Sequence, residues 1–389
     1  MYDYIVVGTG YAGAISARII AETLDKKVLL LDKRNHIAGN MYDEYDKNQI
    51  LVHKYGPHIS VMKEKKAFDF LSRFTEWQSY HHTVKAVIDD IEVPLPINFT
   101  SIDMLFTVEE SIELKQLLID LYSKDANVPI LDLLKSGNDK IRTFAEFIYE
   151  KVFVHYTMKM WGVSPNEIDP SVTARIPVRL SYDNKHFLHK YQVMPKNGFT
   201  KLFENMLDHP NITIKLGINA VDVLKLDPTS KLILFNNEVF DGKLVYTGSL
   251  DELFGYKYGV LPYRSLRFEF NTENKGYVQD CTTLNWPDDR PATRRTDMKR
   301  LTSQKIVDLT TTVTEYPGAY NLQSKDFNEP YYPIINEECI HQYNKYYKLV
   351  EAFQNVYTVG RLADYKYYNM EATVLRALEV AEKIVKQES

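Results

Sequence analysis

The stretch Tyr4-Ile5-Val6-Val7-Gly8-Thr9-Gly10-Tyr11-Ala12-Gly13 decides the fold. Tyr4 to Val7 has the pattern of a short buried strand, Gly8, Gly10 and Gly13 follow at G-x-G-x-x-G spacing, and an Ala/Ile-rich helix runs from Ala14 to Ala21. Lys27 to Leu31 is strand-like again and stops at Asp32, which completes a β-α-β unit. In such a unit Gly8 permits the tight turn after the strand, Gly10 lets the backbone approach a pyrophosphate, and Gly13 lets the helix pack closely. The helix N-terminus then meets the phosphates with unpaired N–H groups and the positive end of its dipole. Asp32 stands about 20 residues beyond the glycines, where an acid holds ribose hydroxyls.

The glycine fingerprint does not separate NAD from FAD. The polar, turn-rich run Lys33 to Asn40 suits a chain that continues along an extended flavin dinucleotide. A single fingerprint argues against an oxidoreductase that holds FAD and NAD in two separate domains, so the expected reductant of the flavin comes from outside, as NAD(P)H or a reductase.

The 389 residues allow two or three lobes at roughly 150 residues each. With 44% hydrophobic, 25% charged and 13% aromatic residues the chain is globular rather than disordered or fibrous. Lys+Arg 47 against Asp+Glu 52 gives −5, which offers no general attraction for nucleic acid or an anionic membrane, so an anionic ligand must be met by local arginines. Cys281 and Cys339 are too few for a disulfide framework and too far apart for a structural zinc site, and no metal is expected. The N-terminus lacks the pattern of a signal peptide, and no stretch approaches the ~20 apolar residues of a membrane span; the expected location is the cytoplasm.

Further along, Ile112, Leu114, Leu117, Leu118 and Leu121 recur at helical spacing, and Ile141 to Val154 reads as another amphipathic helix. Strand signals return in Ile212 to Leu216, Leu232 to Phe235, Leu244 to Thr247 and Tyr263 to Phe270. A strand-like Val356 to Val359 and a helix from Glu371 to Val385 close the chain and most economically return to the first unit. The expected fold is α/β: a discontinuous Rossmann-like FAD-binding domain (1–67, 200–250 and 340–389), a mainly helical domain (68–162), and an antiparallel β-sheet substrate domain (163–199 and 251–339).

Asp32 to Asn40, His53-Lys54-Tyr55-Gly56-Pro57-His58-Ile59, Trp161-Gly162, Arg175-Ile176-Pro177-Val178-Arg179, Tyr331-Tyr332-Pro333 and Gly360 to Tyr367 together resemble the UDP-galactopyranose mutase family. The matches run in order along essentially the whole chain. The resemblance implies an isomerase that uses reduced FAD to interconvert the pyranose and furanose forms of a nucleotide-diphosphate sugar, with flavin N5 attacking the anomeric carbon and no net redox change. It also implies a homodimer. Arg175 and Arg294 match the phosphate-binding arginines of the family, and Tyr332 and Tyr367 its phosphate-binding tyrosines. Tyr156 and Trp161 match the residues that hold the nucleoside and cover the site. For the cofactor the match extends to Ala12, Asp32, Lys33, Asn40, His58, Ile59, Arg361 and Met370, with His58 beside the isoalloxazine. Asn369 is placed to cap the final helix toward the flavin, and Ala220 or Val221 to touch adenine.

Departures from the family pattern gather on the substrate side. His82 stands for an asparagine near the sugar, His186 for a phosphate-side tyrosine, Ala292 for the tyrosine before the threonine-arginine pair, and Asn369 for an acid. Asn285 aligns with a substrate-contacting asparagine. These changes imply a mutase with altered sugar or nucleotide preference, toward UDP-N-acetylgalactosamine, dTDP-fucose or another deoxy sugar. Two other readings compete: a flavin oxidoreductase of the amine-oxidase type, and a non-catalytic binder of nucleotide sugars.

Overall fold

The computed structural model describes residues 1–162 and 177–388. Its organising element is a five-stranded parallel sheet in the order Ile212–Lys215, Val28–Leu31, Tyr4–Val7, Lys243–Tyr246, Val356–Thr358. The start, the middle and the end of the chain each contribute to it. Val28–Leu31 is buried along its whole length, as a parallel strand covered on both faces requires.

The helix Tyr11–Leu24 lies against one face of this sheet and the terminal helix Met370–Glu388 packs beside it. Ala14, Ala17 and Ala21 on the first helix and Ala377 and Ala381 on the last are buried. Ile15, Ile20, Val374, Leu378 and Ile384 fill the remaining space. Full burial of each such aliphatic side chain stabilises the fold by roughly 1.5–3 kcal/mol.

A seven-stranded sheet runs Tyr332–Pro333, Tyr263–Glu273, Thr310–Ala319, Arg294–Asp297, Thr283–Asn285, Val84–Ile88, Ile91–Leu95. It is antiparallel except where Thr283–Asn285 runs parallel to Val84–Ala86. Its last two strands come from the stretch expected to be mainly helical. Val84, Ala86 and Ile88 alternate inward with period two, and Asp89 and Asp90, at φ 46° and 65°, form the tight turn that sends the chain back. That period is too short to stand out beside the helical runs that follow it.

Those helices, Phe99–Leu105, Val108–Tyr122 and Asp139–Ile148, form the third layer around Leu114, Leu118, Ile141, Phe144 and Ile148. Thr107 and Glu110 form a capping box at the start of the second of these. Ile112 and Leu121, expected on its apolar stripe, face solvent at 62% and 54% exposure. The Asp139 helix does not run unbroken to Val154. It widens into a π-helical turn at Tyr149–Val154 before resuming at His155–Trp161. Such turns redirect side chains, and here Val152 and Phe153 line the cleft described next.

Candidate functional site

A cleft of about 1080 Å³ runs between the parallel sheet, the seven-stranded sheet and the His155–Trp161 helix. One end is built from the first β-α-β turn. Gly8 has φ +95°, and a Cβ there would stand 2.1 Å from Thr247 Oγ1, which donates to the Val7 carbonyl at 2.6 Å. A Cβ on Gly13 would stand 1.8 Å from the Gly8 carbonyl oxygen, so helix and turn touch only because Gly13 has no side chain. Gly10 is different: its Cβ direction meets only Gly39 Cα, at 3.8 Å, leaving the backbone open to a ligand. The helix begins at Tyr11 with no side-chain cap on Gly10, so its first N–H groups are left for that ligand.

Asp32 closes the turn. Its Oδ2 accepts from Thr9 N at 2.8 Å and Thr9 Oγ1 at 2.5 Å, and its Oδ1 accepts from Arg34 N at 2.9 Å. A carboxylate has about four acceptor positions, so Oδ1 keeps room for a ribose hydroxyl. Lys33 and Arg34 reach Glu329 at 3.5 and 3.2 Å, and Arg34 donates to Asn40 Oδ1 at 2.9 Å. Ala12, Lys33, Asn40 and Ala220 line the cleft; Val221, the alternative for the adenine contact, is absent from its lining. The cleft lies just above the ~300–1,000 Å³ range typical of ligand pockets.

Midway along, His58, Ile59, Arg361 and Met370 face the cleft. Burial pushes His58 down to about 3, so the imidazole is neutral, and its Nδ1 is buried without a hydrogen-bond partner. Arg361 donates twice to the Tyr368 carbonyl, at 2.6 and 3.2 Å, and once to that of Tyr331, at 3.1 Å. Its guanidinium stands 5.0 Å from the Tyr332 ring centroid. Asn369 caps the terminal helix by accepting from Ala372 N at 2.8 Å, and Asn369, Met370, Ala372 and Thr373 bring that N-terminus to the cleft wall.

The far end holds the cationic and aromatic groups. Arg294 forms a bidentate pair with Glu315 across adjacent strands, Nε to Oε1 at 2.6 Å and Nη2 to Oε2 at 2.9 Å. Burial pushes this guanidinium down, but Glu315 beside it holds it above its ordinary value. Two of its five N–H donors are thereby fixed, and the plane is aimed. Trp161, Tyr332 and Tyr367 form a cluster with ring centroids 5.7–6.3 Å apart. Burial raises the Tyr332 hydroxyl to about 12 and raises Tyr156, next to Arg294, so both stay protonated as donors. Asn285, the strand partner of Arg294, has its Oδ1 buried without a partner.

His82 and His186 pack edge to face, 5.6 Å between centroids, with Phe187 against both. His186 Nδ1 bonds the Leu95 carbonyl at 3.0 Å, which places the proton on Nδ1 and leaves Nε2 an acceptor. Burial lowers His186 to about 4 and His82 well below its ordinary value. Arg175 lies outside the described residues.

Three groups that position this end carry no local sequence signal. Glu315 is legible only once its strand is paired with that of Arg294. Arg264 donates to the Met160 and Lys159 carbonyls at 2.7 and 2.8 Å and so fixes the end of the helix that carries Trp161. Gly162, at φ +68°, makes room, since a Cβ there would stand 2.6 Å from Arg264 Nη1. Lys159 Nζ holds the carbonyls of Trp286, Arg290 and Ala292 at 2.5–3.0 Å, tying the same helix to the loop before Arg294.

A family model described as UDP-galactopyranose mutase matches residues 151–367, and one for an NAD(P)-binding Rossmann-like domain matches residues 6–74. The chain is similar to a UDP-galactopyranose mutase of Mycoplasma pneumoniae, 33% identical over 99% of this chain and 96% of that protein. It is equally similar to a dTDP-fucopyranose mutase of Escherichia coli, 33% identical over 99% of both chains. A crystal structure of reduced UDP-galactopyranose mutase superposes with a TM-score of 0.72 at 17% identity, covering 100% of this chain and 94% of that one.

Proposed function

The chain belongs to the UDP-galactopyranose mutase family, and from that premise we propose that it is an isomerase interconverting the pyranose and furanose forms of a nucleotide-diphosphate sugar on bound, reduced FAD, without net redox change. The observation that carries this reading is the single cleft that joins the glycine cradle to the Arg294, Tyr332, Tyr367 and Trp161 cluster. A dinucleotide at one end and a diphosphate at the other would meet near His58.

In this reading Gly8, Gly10 and the helix from Tyr11 hold the cofactor pyrophosphate, Asp32 the ribose and Ala220 the adenine. Lys33, Asn40, Ile59, Arg361 and Met370 line the rest of its path. The reduced flavin, when bound, supplies the nucleophile for the anomeric carbon. Arg294, aimed by Glu315, stabilises the charge that grows on the leaving diphosphate, with Arg175 proposed as the second cation. Tyr332 and Tyr367 donate hydroxyl hydrogen bonds to the same oxygens. Tyr156 and Trp161 bear on the nucleoside and keep water out. The flavin is reduced from outside by NAD(P)H or a reductase.

For the sugar we propose a preference that includes deoxy sugars. Val84, Ala86, Leu95 and Phe187 line the cleft beside the neutral His82 and His186, so this wall is largely apolar and gives a sugar hydroxyl few partners beyond the two imidazoles. A site that makes no hydrogen bond to a hydroxyl tolerates a sugar that lacks it. The equal identity to UDP-galactose and dTDP-fucose mutases leaves room for both substrates. Dithionite-reduced protein offered UDP-galactopyranose, UDP-N-acetylgalactosamine and dTDP-fucopyranose, with products resolved chromatographically, is expected to form furanose from dTDP-fucopyranose. Exclusive turnover of UDP-galactopyranose overturns the sugar assignment, and inertness toward every nucleotide sugar overturns the mutase.

A further inference from the structure

His58 faces the cleft, yet its backbone is held from within the protein. The His58 N–H donates to His53 Nδ1 at 3.0 Å, and His53 is 1% exposed. A backbone N–H only donates, so Nδ1 of His53 presents a lone pair and the proton of the neutral ring sits on Nε2. Burial pushes His53 down to about 3, which keeps that ring neutral. Its Nε2 has no hydrogen-bond partner and faces Asp43 Oδ2 at 4.0 Å.

Asp43 is itself immobilised. It is 4% exposed and accepts from Phe199 N at 2.6 Å and Thr200 N at 2.8 Å, supplying from another strand the cap that Gly198 cannot give to the Phe199–Leu207 helix. Gly198, at φ +83°, leaves space for it, since a Cβ there would stand 2.7 Å from Asp43 Oδ2. The Phe199 ring packs edge-on against His53 at 5.5 Å, and the His58 ring lies nearly parallel to His53 at 6.3 Å. His53 is therefore fixed in tautomer by the His58 N–H it holds, and in place and ring plane by Phe199 behind it, which does not line the cleft.

We propose that His53 is a positioning residue for His58: in the tautomer that faces Asp43, its Nδ1 anchors the His58 backbone N–H and so sets where the His58 imidazole stands against the flavin ring. This rests on the flavin reading of the cleft. The side chain that meets the cofactor and the side chain that aims it are five residues apart, joined by the Tyr55-Gly56-Pro57 turn.

The test uses the FAD-loaded protein and compares His53→Phe, which keeps a ring but removes the acceptor, with His53→Asn, whose Oδ1 is bonded to Cγ as Nδ1 is and so keeps one. The readout is the ratio of affinities for reduced and oxidised FAD, obtained from the midpoint potential, together with the visible absorption band. Loss of one hydrogen bond is expected to change that ratio about fivefold in the Phe variant, with Asn close to wild type. A filling role alone would lower the thermal stability of both variants and leave ratio and spectrum unchanged, and that result overturns the proposal. If the Phe variant fails to fold, His53→Leu, which has no acceptor, replaces it, and a Leu protein with the same ratio as Asn is equally fatal. Wild-type protein that takes up no FAD overturns the cofactor reading and this proposal with it.

Discussion

At the dinucleotide end of the cleft the groups that would meet a ligand are backbone N–H groups, shaped by glycines within six residues of one another; at the arginine end they are side chains, each held by a partner far away in sequence. Gly8, Gly10 and Gly13 act through missing atoms: Gly8 and Gly13 each remove a specific clash, and Gly10 leaves the backbone open. Arg294 acts through Glu315, Trp161 through Arg264 on a distant strand, and His186 through the Leu95 carbonyl. The first kind of site depends on the path of the chain, which any intact Rossmann unit supplies. The second depends on pairs, so a single substitution there changes what is bound and also leaves the partner side chain unmatched.

The contrast is broken most directly at Arg294. Arg294→Ala removes the aimed guanidinium and leaves Glu315, 0% exposed, as an unpaired buried carboxylate. Loss of such a transition-state contact is worth about 2.7–4 kcal/mol, so turnover is expected to fall roughly 10²–10³-fold while FAD stays bound. Steady-state kinetics on reduced protein, with flavin absorbance as the control, measures both. Wild-type rates would remove Arg294 from the site; loss of flavin would mean that the two ends are not separable.

Gly13→Ala is the counterpart at the other end. The new methyl would have to displace the Gly8 carbonyl oxygen from 1.8 Å, and because both are backbone the helix must move. Overpacking of this kind typically costs about 1–3 kcal/mol. The expected result is a lower thermal midpoint and weaker FAD retention, with the nucleotide-sugar KM of the remaining holoenzyme unchanged. Calorimetry and flavin release by gel filtration report the two effects, and a rise in KM instead would show that the cradle also shapes the arginine end.

The same contrast explains what was legible in the sequence. The glycine cradle, Asp32 and the strands on either side were readable because spacing within about 25 residues determines them, and Asn369 was readable as a cap because it precedes a long periodic helix. Val84–Ile88 and Ile91–Leu95 were not, because their short alternation matters only once Thr283–Asn285 lies beside them. Glu315, Arg264 and His53 were missed for a related reason: a lone acid, arginine or histidine in a strand-rich stretch gives no sign of which distant donor or acceptor it meets. Ile112 and Leu121 fit a helical period yet face solvent, since periodicity gives an apolar face but not the width of what covers it.

The smallest effect at neutral pH, and the one that sharpens the comparison most, concerns His186. Its imidazole is lowered from an ordinary 6.5 to about 4 by burial, so between those values the unfolded chain binds a proton that the folded protein refuses. Folding stability from this group is therefore fully present above pH 6.5 and is lost as the pH falls toward 4. His58 and His53, at about 3, add slope in the same direction across and below this window, and His82, also lowered, adds its own. His186→Phe removes one titrating ring and keeps an aromatic against His82 and Phe187. Urea unfolding at pH 7.5 is expected to change little, while the decline in stability between pH 6.5 and 4 becomes shallower. An unchanged slope would mean that His186 is protonated in the folded protein. Nε2 would then be a donor rather than an acceptor, and the wall beside it would favour an anionic oxygen over a deoxy sugar.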